Sequence, residues 1–137
     1  FELKVSLNFG NLRQSYFQAV SNSSWANEGY LVTLNFDKDP TFKDEVRRLN
    51  NAFGIGIIQL NPENIFESEI LFPSRINQEI DWETVNRLAN ENPDFNDFLK
   101  LITEDCKLSK VKSQYDKVLG MDELTKYIKD KGINNAL

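Results

Sequence analysis

Apolar and polar residues alternate from the first position. Phe1, Leu3, Val5 and Leu7 are apolar, and Glu2, Lys4 and Ser6 between them are polar. This period of two predicts a half-buried strand with a carboxylate and an amine side by side on one face. Asn8-Phe9-Gly10-Asn11 follows as a turn, with Gly and Asn supplying permissive backbone. Asn11 is placed to cap a helix over 12–21, with Leu12, Tyr16, Phe17 and Val20 as its apolar stripe. Gln14, Gln18 and Ser21 fall on another face at helical spacing. Residues 30–36 (YLVTLNF) form a mostly apolar run of strand formers, the pattern of a strand buried on both faces.

Asp39-Pro40 is a helix-start signal, with Asp39 as N-cap and Pro40 in the first helical position. Phe42, Val46, Leu49 and Phe53 recur at three- and four-residue steps until Gly54, the residue expected to stop the helix. Residues 56–60 and 68–72 read as two further strands, separated by a turn at Asn61-Pro62-Glu63-Asn64 and closed by Pro73. Beyond them the pattern is helical. Asp81 caps one segment with Trp82, Val85, Leu88 and Ala89 on its apolar side, and Asn92-Pro93-Asp94 breaks it. Phe95, Phe98, Leu99 and Ile102 line the next helix. Residues 107–117 are basic and polar, and Gly120 precedes a last amphipathic helix with Met121, Leu124, Tyr127 and Ile128, ended by Gly132.

Strands alternating with helices predict an α/β fold. We expect a small mixed sheet, parallel at its centre, with helices on both faces and a helical C-terminal extension. The crossovers after Leu7 and Phe36 are long enough for right-handed parallel connections. The expected division is an α/β domain over 1–106, followed by a basic linker and C-terminal helix over 107–137.

Composition narrows the chemistry. The chain has 137 residues, no histidine and one cysteine, Cys106. A Ser-His-Asp or Cys-His nucleophile within this chain is therefore excluded, and a structural zinc site is not expected. A single cysteine cannot form an internal disulfide, which fits a reducing cytoplasm. No apolar run reaches membrane-spanning length, and no signal peptide is visible. The chain starts with Phe1 inside a strand, so the expectation is a piece of a longer protein. A net charge of −5 argues against a module that coats nucleic acid. It leaves room for a nuclease, whose cation-binding acids also make the site negative.

The candidate chemistry lies at Glu2 and Lys4. A carboxylate can hold a divalent cation, and a neighbouring ammonium can steady a hydroxide or a phosphate. Glu and Lys sharing a strand face are also common on solvated sheets, where the pair is weakly stabilising. The tight turn, the helix carrying Gln14 and Gln18, and the buried strand that follows place this pair in a layered unit. Ser6 and Asn8 could extend the polar face. Trp25 and Trp82 read as core aromatics rather than base-stacking platforms. Arg47-Arg48 reads as a solvated pair, and Lys107, Lys110 and Lys112 as a modest basic patch. Asp94 and Asp97 read as favouring a helix dipole, and Cys106 as an inert, buried or half-buried thiol.

Residues 1–30 resemble the latter part of the core of the PD-(D/E)xK nuclease superfamily, the restriction-endonuclease-like fold. Glu2-Leu3-Lys4 matches its (D/E)-x-K element, and Gln18 matches a glutamine often found on the following helix. The run ELKVSLNFGNLRQSYFQAVSNSSWANEGYLV, with AFGIGIIQLNPEN, ILFPSR and IDWETVNRLANENPDF, is similar to the C-terminal region of bacterial HrgA-like proteins. These pair an N-terminal winged-helix (HARE-type) domain with a nuclease-like domain and occur near restriction–modification systems. The superfamily's metal-binding Asp lies on a strand before the Glu-x-Lys strand, and this chain has none.

The resemblance implies the catalytic part of a Mg²⁺-dependent DNA endonuclease in the bacterial cytoplasm. Glu2 and the Leu3 carbonyl would hold Mg²⁺ with the missing Asp. Lys4 would stabilise the attacking hydroxide and the phosphorane charge, and Gln18 would position Lys4, water or the DNA backbone. The fragment alone is expected to be inactive. Double-strand cleavage would favour a two-fold homodimer, and the other partners implied are DNA and the winged-helix domain. Two rival readings stay open: a decayed nuclease fold acting in DNA recognition or protein assembly, and an oligomerisation module using the last helix.

Overall fold

In this computed structural model the described residues are 1–112 and 119–130. Contacts divide the chain into two compact units, Phe1–Arg87 and Leu88–Leu137. The boundary expected after Cys106 falls instead within the last turn of a helix, Pro93–Leu108.

The first unit is an α/β layer. Its elements are β1 (Glu2–Leu7), α1 (Leu12–Asn22), β2 (Tyr30–Phe36), α2 (Pro40–Phe53), β3 (Gly56–Gln59), a short 3-10 turn at Ile65–Glu67, and β4 (Glu69–Phe72). The four strands form one sheet in the order β1-β2-β3-β4. β1, β2 and β3 are parallel, and β4 runs antiparallel to β3. This is the small mixed sheet that the alternation of strands and helices predicts.

Both crossover helices lie on one face. Pairing of Glu2 with Leu31, Leu31 with Ile57, and Ile57 with Phe72 sets those residues on a common side. Leu31, Ile57 and Phe72 share one core cluster with Leu12, Tyr16 and Ala19 of α1 and Phe42, Val46 and Leu49 of α2. Strands added in sequence order by two crossovers of the same hand deposit both helices on the same side. The expectation of helices on both faces is corrected accordingly for α1 and α2.

The alternation in β1 is satisfied in the reverse sense. Glu2 and Lys4 lie on the helix-covered side, whereas Leu3 is 67% exposed and Val5 71% exposed. Their face continues through Val32 and Ile58 to Ile70, which is 61% exposed; a register shift in the β3–β4 pairing between Ile57 and Ile58 separates Ile70 from the core-facing Phe72. Leu7, at the strand's end, enters the core. Among the described residues β1 is an edge strand of the sheet.

Capping follows the sequence closely at α2 and less so at α1. Asp39 accepts from Thr41 N at 2.7 Å and from Phe42 N, with Pro40 opening α2. Gly54 ends α2 with φ of 79°, a left-handed conformation that carries no Cβ penalty at glycine. Gly56 must also be glycine for space, since a Cβ there would sit 2.4 Å from the Tyr30 ring and 2.7 Å from Ser74 N. Asn11, the expected cap of α1, makes no side-chain cap bond. Its amide turns back to β1, donating to Ser6 O at 2.8 Å, and its Oδ1 accepts from Asn8 N at 2.9 Å.

The described part of the second unit is helical. α3 (Trp82–Glu91) begins in the first unit, where Asp81 accepts from Thr84 N at 3.0 Å. Asn92 caps α4 (Pro93–Leu108) by accepting from Phe95 N at 3.2 Å. Asp105 is buried and accepts from Lys112 N at 3.1 Å. α5 spans Met121–Asp130. The expected stop at Gly132, the Ile128 side chain and residues 113–118 of the basic segment lie outside the described residues. Among the described residues, no helix is long and apolar enough to cross a membrane.

Candidate functional site

A strand advances about 6.6 Å in two residues, and a helix about 6 Å in four. Steps of two along β1 and four along α1 therefore stay in register where the two elements pack. Glu2 and Lys4 on the strand meet Asn22 and Gln18 on the helix in that order. Lys4 Nζ lies 2.9 Å from Glu2 Oε1 and donates to Gln18 Oε1 at 2.8 Å. Asn22 Nδ2 donates to Glu2 Oε2 at 3.0 Å. The Lys4 and Glu2 side chains are 27% and 15% exposed, so the cluster is a half-covered notch rather than a fully solvated pair.

The electrostatics follow from this closure. The hydrogen bond from Lys4 is the largest influence on the Glu2 carboxyl and holds it below its ordinary range, with the Asn22 amide and the Lys4 charge acting in the same direction. Burial opposes the shift but is outweighed. Glu2 is therefore a carboxylate at neutral pH, and Lys4 supplies its counter-charge.

The three side chains expected to act together, Glu2, Lys4 and Gln18, are brought together. The Leu3 carbonyl is not. Backbone alternation aims it the same way as the carbonyls of Val5 and Leu7, which accept from Asn35 Nδ2 at 3.4 Å and Asp37 N at 3.0 Å on the β2 side. Ser6 is exposed. Asn8 is used in its own turn, accepting from Gly10 N at 2.9 Å. The sequence reading missed Asn22, although its position four residues after Gln18 was a legible signal.

Among the described residues, no group of three or more His, Cys, Asp or Glu side chains gathers as a metal site. The donor chemistry of the notch is one carboxylate beside an ammonium. With donors already on both Glu2 oxygens, it would offer a Mg²⁺ ion one ligand at most, and the remaining acids would have to come from another segment.

A cleft of about 760 Å³ opens where α1 and α2 begin, lined by Phe9, Arg13, Gln14, Thr41, Glu45 and Arg48 among others. Its charges are compensated internally. Arg48 forms a two-pronged bond to Glu45 at 2.7 and 2.8 Å, and Arg13 lies 3.8 Å from the same carboxylate. Arg47 pairs with Asp44. The arginine pair is exposed, as expected, and each member is also tied to an acid one turn earlier. Trp25 is half-buried, whereas Trp82 is 65% exposed rather than core. Cys106 is exposed, not the buried or half-buried thiol expected.

Comparison of the chain with protein-family models, curated proteins and solved structures gives no significant match.

Proposed function

We propose that this chain carries part of a nuclease-like site that hydrolyses phosphodiester bonds in DNA. The observation that carries the reading is the Lys4 ammonium held between Glu2 Oε1 and Gln18 Oε1. An acid, an amine and an amide from a strand and its following helix meet in one notch, as the resemblance to the PD-(D/E)xK superfamily implies. On this reading the layer of β1, α1 and β2 corresponds to the latter half of a restriction-endonuclease-like core. The proposed setting is a restriction–modification protein of the bacterial cytoplasm with a winged-helix domain, acting as a two-fold dimer on duplex DNA.

Each residue has a part. Glu2 would offer one anionic oxygen to Mg²⁺, with a second acid supplied by another segment. A bound Mg²⁺ would supply Lewis acidity and lower the pKa of a coordinated water. Lys4 turns its ammonium to the charge developing on the phosphoryl oxygens, where a preorganised donor is most effective. Gln18 fixes the direction of the Lys4 side chain.

The test is cleavage of DNA with Mg²⁺ by the full-length protein containing this chain. Glu2→Ala and Lys4→Ala are each expected to lower cleavage at least ~100-fold, in line with loss of a charge-stabilising group, while circular dichroism stays unchanged. Full cleavage by Lys4→Ala defeats the assignment.

A second reading is a nuclease-like domain without catalysis, acting in DNA recognition or assembly. It is favoured by the donors on both Glu2 oxygens, which make the notch self-sufficient as a polar pin between β1 and α1. Under that reading the wild-type full-length protein binds its partner or DNA but does not cleave DNA with Mg²⁺.

A further inference from the structure

We propose that the outer edge of β1 is a self-complementary interface, which pairs antiparallel, about a two-fold axis, with β1 of a second copy of this chain. The inference uses none of the metal chemistry proposed for the notch and holds equally for a domain that cleaves nothing. Among the described residues no strand pairs with β1 on its outer side. The carbonyls of Val5 and Leu7 turn to β2, so the N–H and C=O groups of Glu2 and Lys4 face the open edge. Further along, Ser6 O already accepts from the Asn11 amide at 2.8 Å, which confines the free edge to residues 1–5. Charge then selects one register. Glu2 opposite Glu2, or Lys4 opposite Lys4, sets like charges together, which is destabilising. Glu2 opposite Lys4 of the second copy repeats itself about the axis, as an isologous interface requires. The same register sets Leu3 against Leu3 on the axis and Phe1 against Val5, and all three are exposed in the single chain. An ammonium has three N–H groups. Glu2 and Gln18 lie 2.9 and 2.8 Å from Lys4 Nζ, which leaves the third N–H for Glu2 of the second copy. Each charge then has an opposite charge beside it on its own strand and another across the axis. A lone lysine on an edge wards off a second copy. Glu-x-Lys wards off every edge but a complementary one, and its own sequence is complementary.

The experiment is disulfide trapping in chains carrying Cys106→Ser, which removes the native thiol. In the proposed register the two Leu3 Cα atoms lie about 4.5 Å apart, within the span of a disulfide. The two Val5 Cα atoms lie about 14 Å apart, beyond it. Both side chains are exposed, so neither change should disturb the fold. Under oxidised glutathione, Leu3→Cys is expected to run as a covalent dimer on a non-reducing gel and Val5→Cys as a monomer. Adding Glu2→Lys or Lys4→Glu to Leu3→Cys should each lower trapping about tenfold, because both opposing pairs become like-charged. An equimolar mixture of the two should recover it as the mixed dimer, in which every opposing pair is Lys against Glu. If a charge variant fails to fold, the comparison of Leu3→Cys with Val5→Cys decides alone. No trapping of Leu3→Cys, equal trapping of Val5→Cys, or trapping indifferent to the charge changes overturns the proposal. Trapping in this chain but not in the full-length protein containing it puts a strand of the same polypeptide on the edge, and overturns it too.

Discussion

Tyr16 shows how one buried hydroxyl ties the layers together. It is fully buried on α1 and donates to Ile55 O at 2.9 Å, an oxygen that also accepts from Asn50 Nδ2 at 2.9 Å. Burial pushes its phenol up to about 12, against an ordinary value of 10.0. The neutral form is the one the fold keeps, so its contribution is complete below about pH 10 and is lost as pH rises towards 12. The difference in ultraviolet absorbance between wild type and Tyr16→Phe should titrate near pH 12, and a midpoint near 10 contradicts it. Tyr16→Phe should itself cost about 1 kcal/mol in urea unfolding, since Asn50 continues to satisfy the carbonyl. Glu2 behaves in the opposite sense. Its lowered carboxyl contributes stability above the ordinary glutamate range, and that contribution is lost as pH falls through the lowered value. Lys4→Met should flatten this acid limb of the melting curve.

At the scale of elements, β1 is the informative case. Period two identifies a strand and sorts its residues into two sets, but it does not say which set meets the helices. Hydrophobicity alone assigns the apolar set to the core. The register with β2 assigns Glu2 and Lys4 there instead, beneath α1. Leu3 and Val5 remain exposed, so they contribute little burial. The double change Leu3→Thr, Val5→Thr, which puts β-branched strand formers at both positions, is therefore expected to alter stability by less than ~1 kcal/mol. A loss several times larger in urea unfolding would show that this face is covered in solution. Phe42, by contrast, is fully buried between Phe9 and Phe36. Phe42→Ala should cost about 3–5 kcal/mol.

For the whole molecule, charge dominates any encounter with DNA. The chain carries −5, and the arginines around the cleft between α1 and α2 are paired with acids. Phosphate neutralisation by Lys and Arg, the usual source of sequence-independent affinity, is therefore weak. Association of this chain with a labelled duplex is expected to need millimolar Mg²⁺ and to vanish with a chelator. Fluorescence anisotropy reads it, and tight binding without Mg²⁺ would place the DNA contact elsewhere on the surface.

Local physics wrote much of this protein into its sequence. The span of β2, the Asp39-Pro40 start of α2, its end at Gly54 and the break at Asn92-Pro93 all depend on a few neighbouring residues, and each stands where the pattern predicts. The pairing of Glu2 with Lys4 was legible for the same reason, since residues two apart on a strand share a side. What the tertiary structure decided is everything requiring knowledge of distant partners. Asn11 makes no side-chain cap because its Oδ1, the acceptor a cap would use, takes Asn8 N while its amide donates to Ser6 O. Both crossover helices fell on one face because the strands add in a single direction. Asn22 joined the notch only because the rise of a helix over four residues matches that of a strand over two, a coincidence that exists once α1 lies along β1.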